Sequence, residues 1–475
     1  MSDQTLQKAS SFPLAPGPKG IPILGQGLRF YREQFRMFVW MRESFGDVVR
    51  DVSAAMPIVQ IFSPEAIEQV LVRNAKNYTK DRVLRSWNLV FGDGLLVSEG
   101  ETWKHDRKVI QPAFSPPRLR EYEAMMIDQS KKLAGDTRWS PGGQIDVFQE
   151  MTELTLRIVL RSLFGEESNA NLTNQEFHAL SHALEELANW FEFSSGPWMF
   201  VTLLFPWFPL PARFRYKRAV KTLEKYINTI IERKRVELKE GNQKGTDLIT
   251  SLLTASDFTD KQVRDHALTF ILAGHETTSL TLTYTLRLLA IHPEIQDELH
   301  AELLKIAPRG ESPSHEALFR CELLSQVIDE SMRLYPPAPV LAREATVADV
   351  VGGFQIVPTS SVIIPTWAIH RDRRYYGDDV DVFRPARWTP EFRKALPRAV
   401  FLPFGFGPRM CIGMGFAIQE IKIILAEILL KHKFTIDDPS TPMRLQASIT
   451  MRPRDPVLLR SSGGFSNSNA TPWLN

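Results

Sequence analysis

One stretch restricts the fold more than any other. VRDHALTFILAGHETTSLTLTYTLRLLAIHP ends at Pro293, and its helical period reaches back to about Asp260. At about 1.5 Å of rise per residue the run spans roughly 50 Å. Apolar residues lie on most of its circumference, so it has to pass through a core instead of over one. The rest of the chain must be arranged about this axis. In its middle, AGHETT (Ala273 to Thr278) sets Glu276 and Thr277 where an interior should be apolar. Burying a carboxylate costs several kcal/mol unless it is paired or solvated. Either a polar face meets a loop there, or the pair has work to do.

The flanking segments complete an α+β pattern, mainly helical with smaller β regions. VVRDVSAAMPIVQIF alternates β-branched residues around a small turn and predicts a hairpin. Ser63-Pro64 opens a helix over 64–73. Helical periods dominate from about 101 to 335. After 338 short strands (VGGFQIV, SSVIIPTWAI) lead through an irregular Pro-, Arg- and Phe-rich stretch to a glycine loop. One helix follows at roughly 412–431, then strands to about 460. No boundary separates two cores. The expected organisation is a flexible N-terminal segment over 1–20, a single large domain over 21–461 and a flexible tail over 462–475.

Charge and cysteine content remove several function classes. The 475 residues carry 57 basic and 55 acidic side chains, a net +2. A dedicated nucleic-acid binder would show a strong basic excess. Two cysteines, Cys321 and Cys411, cannot build a disulfide framework, so a reducing, cytoplasmic location is expected. No run reaches the roughly 20 apolar residues of a membrane span. The apolar stretch 196–211 is broken by prolines and leaves a peripheral membrane contact open.

FGFGPRMCIGMG, residues 404–415, admits three readings. GMGFAI partly matches a dinucleotide fingerprint, but the third small residue is missing and little chain remains for further βαβ units. The loop could be a turn around a buried thiol. It could also present Cys411 as a thiolate ligand to haem iron. A cysteine at a helix N-terminus meets unpaired N–H groups and the positive end of the helix dipole, which favour the thiolate. Glycines would let the backbone approach a flat macrocycle. Taken alone, the loop leaves all three open.

Phe404-Gly405-x-Gly407-x-Arg409-x-Cys411-x-Gly413 resembles the haem-ligand loop of the cytochrome P-450 superfamily, with every expected position filled. Three further segments resemble the same family in the same order. AGHETT matches its oxygen-activation helix, with Glu276 and Thr277 as the proton-delivering acid–alcohol pair and Ala273 leaving room for dioxygen. His275 is taken to face away from the iron. ESMR with FRPARW matches a structural cluster, here Glu330, Arg333 and Arg387. WKHDR matches the propionate-binding helix through Trp103 and Arg107, and Arg343 and Arg409 match further propionate contacts. Cys321 matches nothing and reads as core.

The resemblance implies the cytochrome P-450 fold, with the long central helix over haem b held by Cys411. It implies a haem-thiolate monooxygenase using O2 on an apolar substrate such as a fatty acid, terpenoid or steroid. The implied pocket comprises Trp87, Val90, Leu96, Ala273, Thr277, Val340, Leu341 and Ile449. A haem-thiolate isomerase, a dehydratase or a peroxide-driven peroxygenase is the alternative; a non-catalytic haem protein is disfavoured by the acid–alcohol pair. No flavin or nicotinamide domain fits in the remaining chain. Electrons are therefore expected from a separate ferredoxin or flavodoxin and its reductase. Lys104, Lys108, Arg398 and Lys422 are candidates for a basic docking face. A monomer is expected.

Overall fold

The computed structural model describes residues 11–462 except 21–24, 54–55, 86, 166–172, 196–201, 203–206, 242–246, 256–257, 308–310 and 448. Most of the 196–211 run, most of the 462–475 tail and half of the 1–20 segment therefore lie outside the described residues.

β1 (Val48–Ser53) and β2 (Met56–Ile61) form the antiparallel hairpin that their alternation predicts. A short helix, Pro64–Glu68, follows; the Ser63 hydroxyl accepts from the Ala66 N–H at 3.3 Å. It widens into a π-helical turn over Gln69–Arg73. β3 (Tyr78–Lys80) comes next. Helices α1 (Gly100–Ile110), α2 (Pro116–Ala134), α3 (Val147–Phe164), α4 (Asn174–Ser195) and α5 (Pro211–Lys239) then build the body.

The axis is α6 (Asp260–Ile291), a single helix of 32 residues. A capping box between Thr259 and Gln262 starts it, with Thr259 N–H donating to Gln262 Oε1 at 3.0 Å. α6 contributes to all three apolar clusters among the described residues. Val263, Ala267 and Ile271 pack with α4 and α5. Leu280 and Tyr284 reach the sheet core. Leu282, Leu286 and Leu289 join the third cluster. Burial on every side is what its sequence demanded. α3 runs against α6 so closely that a Cβ on Gly274 would sit 3.1 Å from Val159 Cγ2.

After α7 (Glu322–Leu334) the chain turns to strands β4 (Leu341–Ala345) and β5 (Ser361–Ile364). They complete a five-stranded sheet in the order β1-β2-β5-β4-β3. β2 and β5 are parallel, with Val59 opposite Val362, while β3 and β4 are antiparallel, with Lys80 opposite Arg343. α8 (Met414–Leu429) follows the glycine loop and packs on α2, α6 and the short helix His315–Arg320. The hairpin of β6 (Leu445–Ala447) and β7 (Met451–Pro453) closes over α6. Among the described residues no helix is long and apolar enough to cross a membrane.

Candidate active site

The glycine loop folds back before α8. Cys411 N–H donates to Phe404 O at 2.9 Å, and Met410 N–H donates to Gly407 O at 3.0 Å. Gly407 has φ +77°, and a Cβ there would meet Leu71 O at 2.4 Å. No other residue fits that turn. Gly405, at φ +75°, faces a cavity, and a Cβ on it would meet nothing within 4 Å. Cys411 sits at the N-terminal end of α8, deep in the protein, with its surface turned to the same cavity. Burial pushes its thiol pKa up; the Gly413 N–H and the Arg107 guanidinium act the other way. Arg107 also donates to Met410 O at 3.0 Å, tying α1 to the loop.

The cavity measures about 400 Å³. Leu96, Ala273, Thr277, Leu341 and Ile449 line it, as do Trp103, Arg107, Arg343, Phe404, Arg409, Cys411 and Gly413. Trp87, Val90 and Val340 do not. Trp87 lies behind the wall, donating from Nε1 to Ser194 Oγ at 3.2 Å, and Val90 packs into the same apolar cluster. The helical turn over Asn88–Phe91 brings Phe91, not its neighbours, to the surface of the cavity. Val340 turns into the sheet core.

α6 crosses the cavity with Ala273 exposed to it. Thr277 Oγ1 donates to Ala273 O at 2.8 Å, so the hydroxyl is held within its own helical turn. His275 points the other way, buried, its Nδ1 2.6 Å from Ile271 O. Glu276 is drawn to the β6–β7 hairpin, where Arg452 Nε and Thr450 Oγ1 both donate to its Oε1. Burial alone would raise the Glu276 carboxyl, but Arg452, with lesser help from His275 and Thr450, outweighs it and holds its pKa below the ordinary value.

The opposite end of the cavity is cationic. Lys80, Arg343, Arg409 and Arg107 line it. Arg409 pairs with Glu99 at 2.6 Å and lies 4.3 Å over the Trp103 ring. Lys80 and Arg343 are cross-strand neighbours, an arrangement that repels. Burial first, and then Arg409, pull the Arg343 pKa down to about 10. Burial followed by Arg343 and Arg409 takes Lys80 well below its ordinary value. Glu99 is the acid that offsets all three, one carboxylate against three cations.

Such an end is built for a ligand with more than one negative charge. Cys411 supplies a soft sulfur donor at the other wall. Among the described residues no group of three His, Cys, Asp or Glu gathers to hold a bare ion. A metal here must bring its remaining ligands with it, and the site therefore fits haem. Cys411 would hold the iron, and the cations would hold two propionates.

A buried cluster behind the loop holds the irregular stretch in place. Arg333 Nε donates to Glu330 Oε2 at 2.8 Å, and Arg387 Nε donates to Glu330 Oε1 at 3.3 Å. Trp388 Nε1 donates to Glu330 Oε2 at 2.9 Å, and Arg333 Nη1 reaches Val380 O at 2.6 Å. Glu330 and Arg333 are both fully buried, so every lone pair and N–H needs such a partner.

Sequence reasoning missed Lys80, Thr450 and Arg452. Lys80 and Arg452 are ordinary residues in short strands and Thr450 lies in the turn before β7, and nothing local marks any of them. It also placed Lys422 on a basic face. Lys422 is instead buried, donating to Leu318 O at 3.1 Å and Ser325 Oγ at 2.8 Å, because α8 packs on its neighbours along that side. Lys104, Lys108 and Arg398 are exposed. Cys321 is a buried thiol beside Glu302, remote from the cavity.

Comparison with known proteins agrees with this chemistry. The family model for cytochrome P450 matches residues 15–460. Cyclooctat-9-en-7-ol 5-monooxygenase of Streptomyces melanosporofaciens is 31% identical over 436 residues, covering 89% of this chain and 91% of the relative. A cytokinin hydroxylase of Arabidopsis thaliana is 36% identical over 362 residues, covering 73% and 67%. The crystal structure of the cytochrome P450DA heme domain superposes with a TM-score of 0.81 at 25% identity, covering 96% of this chain and 98% of that one.

Proposed function

The chain belongs to the cytochrome P450 family and is a haem-dependent monooxygenase, and we propose that it oxygenates an apolar, terpenoid-, steroid- or fatty-acid-like molecule with electrons from a separate donor. The carrying observation is one cavity that joins the Cys411 sulfur, the Glu276–Thr277 pair and a wall of Leu96, Leu341 and Ile449. A relative named for oxygenating cyclooctat-9-en-7-ol supports a largely hydrocarbon substrate.

Haem, when bound, supplies the dioxygen chemistry. The chain's residues do the rest. Cys411 would be the ligand, and the N–H groups at the start of α8 would moderate charge on its sulfur. Trp103, Arg107, Arg343, Arg409 and Lys80 would hold the propionate carboxylates. Ala273 leaves space beside α6. Glu276 passes protons inward from the β6–β7 side, and the Thr277 hydroxyl presents them at the cavity. The apolar wall excludes water and places a C–H or C=C bond within reach.

A second, surface groove of about 590 Å³ is lined by Lys104, Arg107, Lys108 and Gln111. It lies on the α1 side, and its charge suits an acidic ferredoxin or flavodoxin. A cytoplasmic location belongs to the same proposal, supported by two free cysteines.

A screen of apolar compounds for a haem spin-state shift tests the substrate class. Terpenoids, steroids or fatty acids should shift it and be oxygenated in the presence of reductant and O2. A response confined to polar compounds would refute the reading. Cys411→Ser should abolish turnover, and Cys321→Ser should leave it intact.

A further inference from the structure

The acid on α6 is held by residues far away in sequence. Arg452 and Thr450 both donate to Glu276 Oε1, and neither bond uses Oε2. Glu276, Thr450 and Arg452 all line the cavity. Ile449, which shapes the apolar wall, precedes Thr450 directly.

The charged and titratable groups around Glu276 can be named. On α6 itself, His275 and Tyr284 act on it. Burial lowers the His275 pKa and raises that of Tyr284 well above its ordinary value, so both are neutral at working pH. Arg452 is the cation facing Glu276. From α4, the exposed Glu185 and Glu192 act on Arg452 from its other side and favour its charge. Arg452 thus stands between a buried acid and an acidic surface. Without it, only His275 and the Thr450 hydroxyl, among the described residues acting on Glu276, would oppose the desolvation of its carboxylate.

We propose that Arg452, seated with Thr450 on the C-terminal hairpin, is the positioning residue for Glu276. It keeps the carboxylate ionised and turned with one oxygen to the hairpin and the other to the cavity. Glu276 can then take a proton from the α4 side and release it inward, instead of retaining one. The hairpin that shapes the substrate wall is also the element that orients the acid. This rests on the reading of Glu276 as the proton relay.

The test uses the holoenzyme with Arg452→Met, Arg452→Lys, Glu276→Gln and the Arg452→Met/Glu276→Gln double variant. The first readout is infrared. At neutral pH, Arg452→Met should gain an additional protonated-carboxyl C=O band, beyond the one from Glu420 that wild type shares. The double variant should lack the additional band, and Arg452→Lys should suppress it. The second readout is hydrogen peroxide formed per O2 consumed, with reduced ferredoxin as donor and no substrate added. That ratio should shift toward one in Arg452→Met and become pH-dependent near neutrality, and Arg452→Lys should restore most of the wild-type value.

Absence of the new band, with a wild-type peroxide ratio in Arg452→Met while Glu276→Gln shifts it, overturns the proposal. A wild-type ratio in Glu276→Gln instead overturns the relay reading, and the infrared band still decides what Arg452 does to Glu276. Should Arg452→Met not fold, Thr450→Val takes its place: it removes one donor to Oε1 and should produce a smaller band and a smaller shift. Wild-type behaviour in that variant counts against the proposal.

Discussion

Two glutamates on facing helices show how far environment controls a side chain. Glu276 on α6 and Glu420 on α8 are both surrounded by protein. Glu276 has Arg452 and is held below the ordinary carboxyl pKa. Glu420 is fully buried, and neither of its oxygens has a hydrogen-bonding partner in range. Burial therefore raises its pKa well above 4.5, against the opposing pull of the nearby Thr278 hydroxyl. The neutral form of Glu420 is favoured in the folded protein. Its contribution to stability has a definite sign. The unfolded carboxyl titrates near 4.5, so the contribution is fully present below that pH. It is lost as pH rises toward the folded pKa, at about 1.4 kcal/mol per unit. Glu420→Gln removes the titration and keeps the shape. Denaturant midpoints measured against pH should fall less steeply above 4.5 in Glu420→Gln than in wild type. Parallel curves would mean that Glu420 is charged in the fold.

At the scale of elements, β3 and β4 carry a conflict that two propionates would resolve. Their register puts Lys80 opposite Arg343, with Arg409 arriving from the glycine loop. Like charges across a strand pair destabilise the sheet by a fraction of a kcal/mol. The same charges, given two carboxylates, make charge-assisted hydrogen bonds worth roughly 1.5–3 kcal/mol each. Lys80→Met should therefore move two measurements in opposite directions. Haem transfer from the variant to apomyoglobin should be faster by about tenfold. The haem-free protein should be as stable as wild type or slightly more so in denaturant titration. A variant that loses apo stability and keeps its haem would place Lys80 in the scaffold and not in the ligand site. The glycine loop shows the complementary case, where geometry leaves no choice: Gly407 is required by backbone contact with Leu71.

For the whole molecule, 57 basic against 55 acidic side chains leave almost no net field. Attraction of an acidic electron donor must then come from a local patch, and the groove of Lys104, Arg107 and Lys108 is the one beside the Cys411 loop. Screening over about 10 Å at 0.1 M salt would confine its effect to close approach. Reversing Lys104 and Lys108 to Glu should slow reduction by ferredoxin at low ionic strength by ~10-fold, with the difference fading as salt rises. Equal rates at all ionic strengths would dismiss this face as the docking surface. The central helix explains why so many parts share one site. α6 borders all three apolar clusters, so elements packed on it from three directions converge on the cavity beside Ala273.

The sequence by itself marked the axial helix, the polar pair within it and the Cys411 loop, and a family resemblance read the last two as acid–alcohol pair and haem ligand. Each depends on residues close together in the chain: a cysteine where glycines turn the backbone into a helix N-terminus, two polar groups inside an apolar run, an apolar circumference ending at Pro293. Glu330, Arg333 and Arg387 were legible from two short segments for the same reason. Only the tertiary structure decided which charges matter. Lys80 and Arg452 look like any strand lysine and arginine until β3 meets β4 and the terminal hairpin meets α6. Lys422 looked like surface until α8 covered it. Trp87 and Val90 differ from Phe91 by where one helical turn points. A charge acquires its energy from what surrounds it, and those surroundings are assembled from residues hundreds of positions apart.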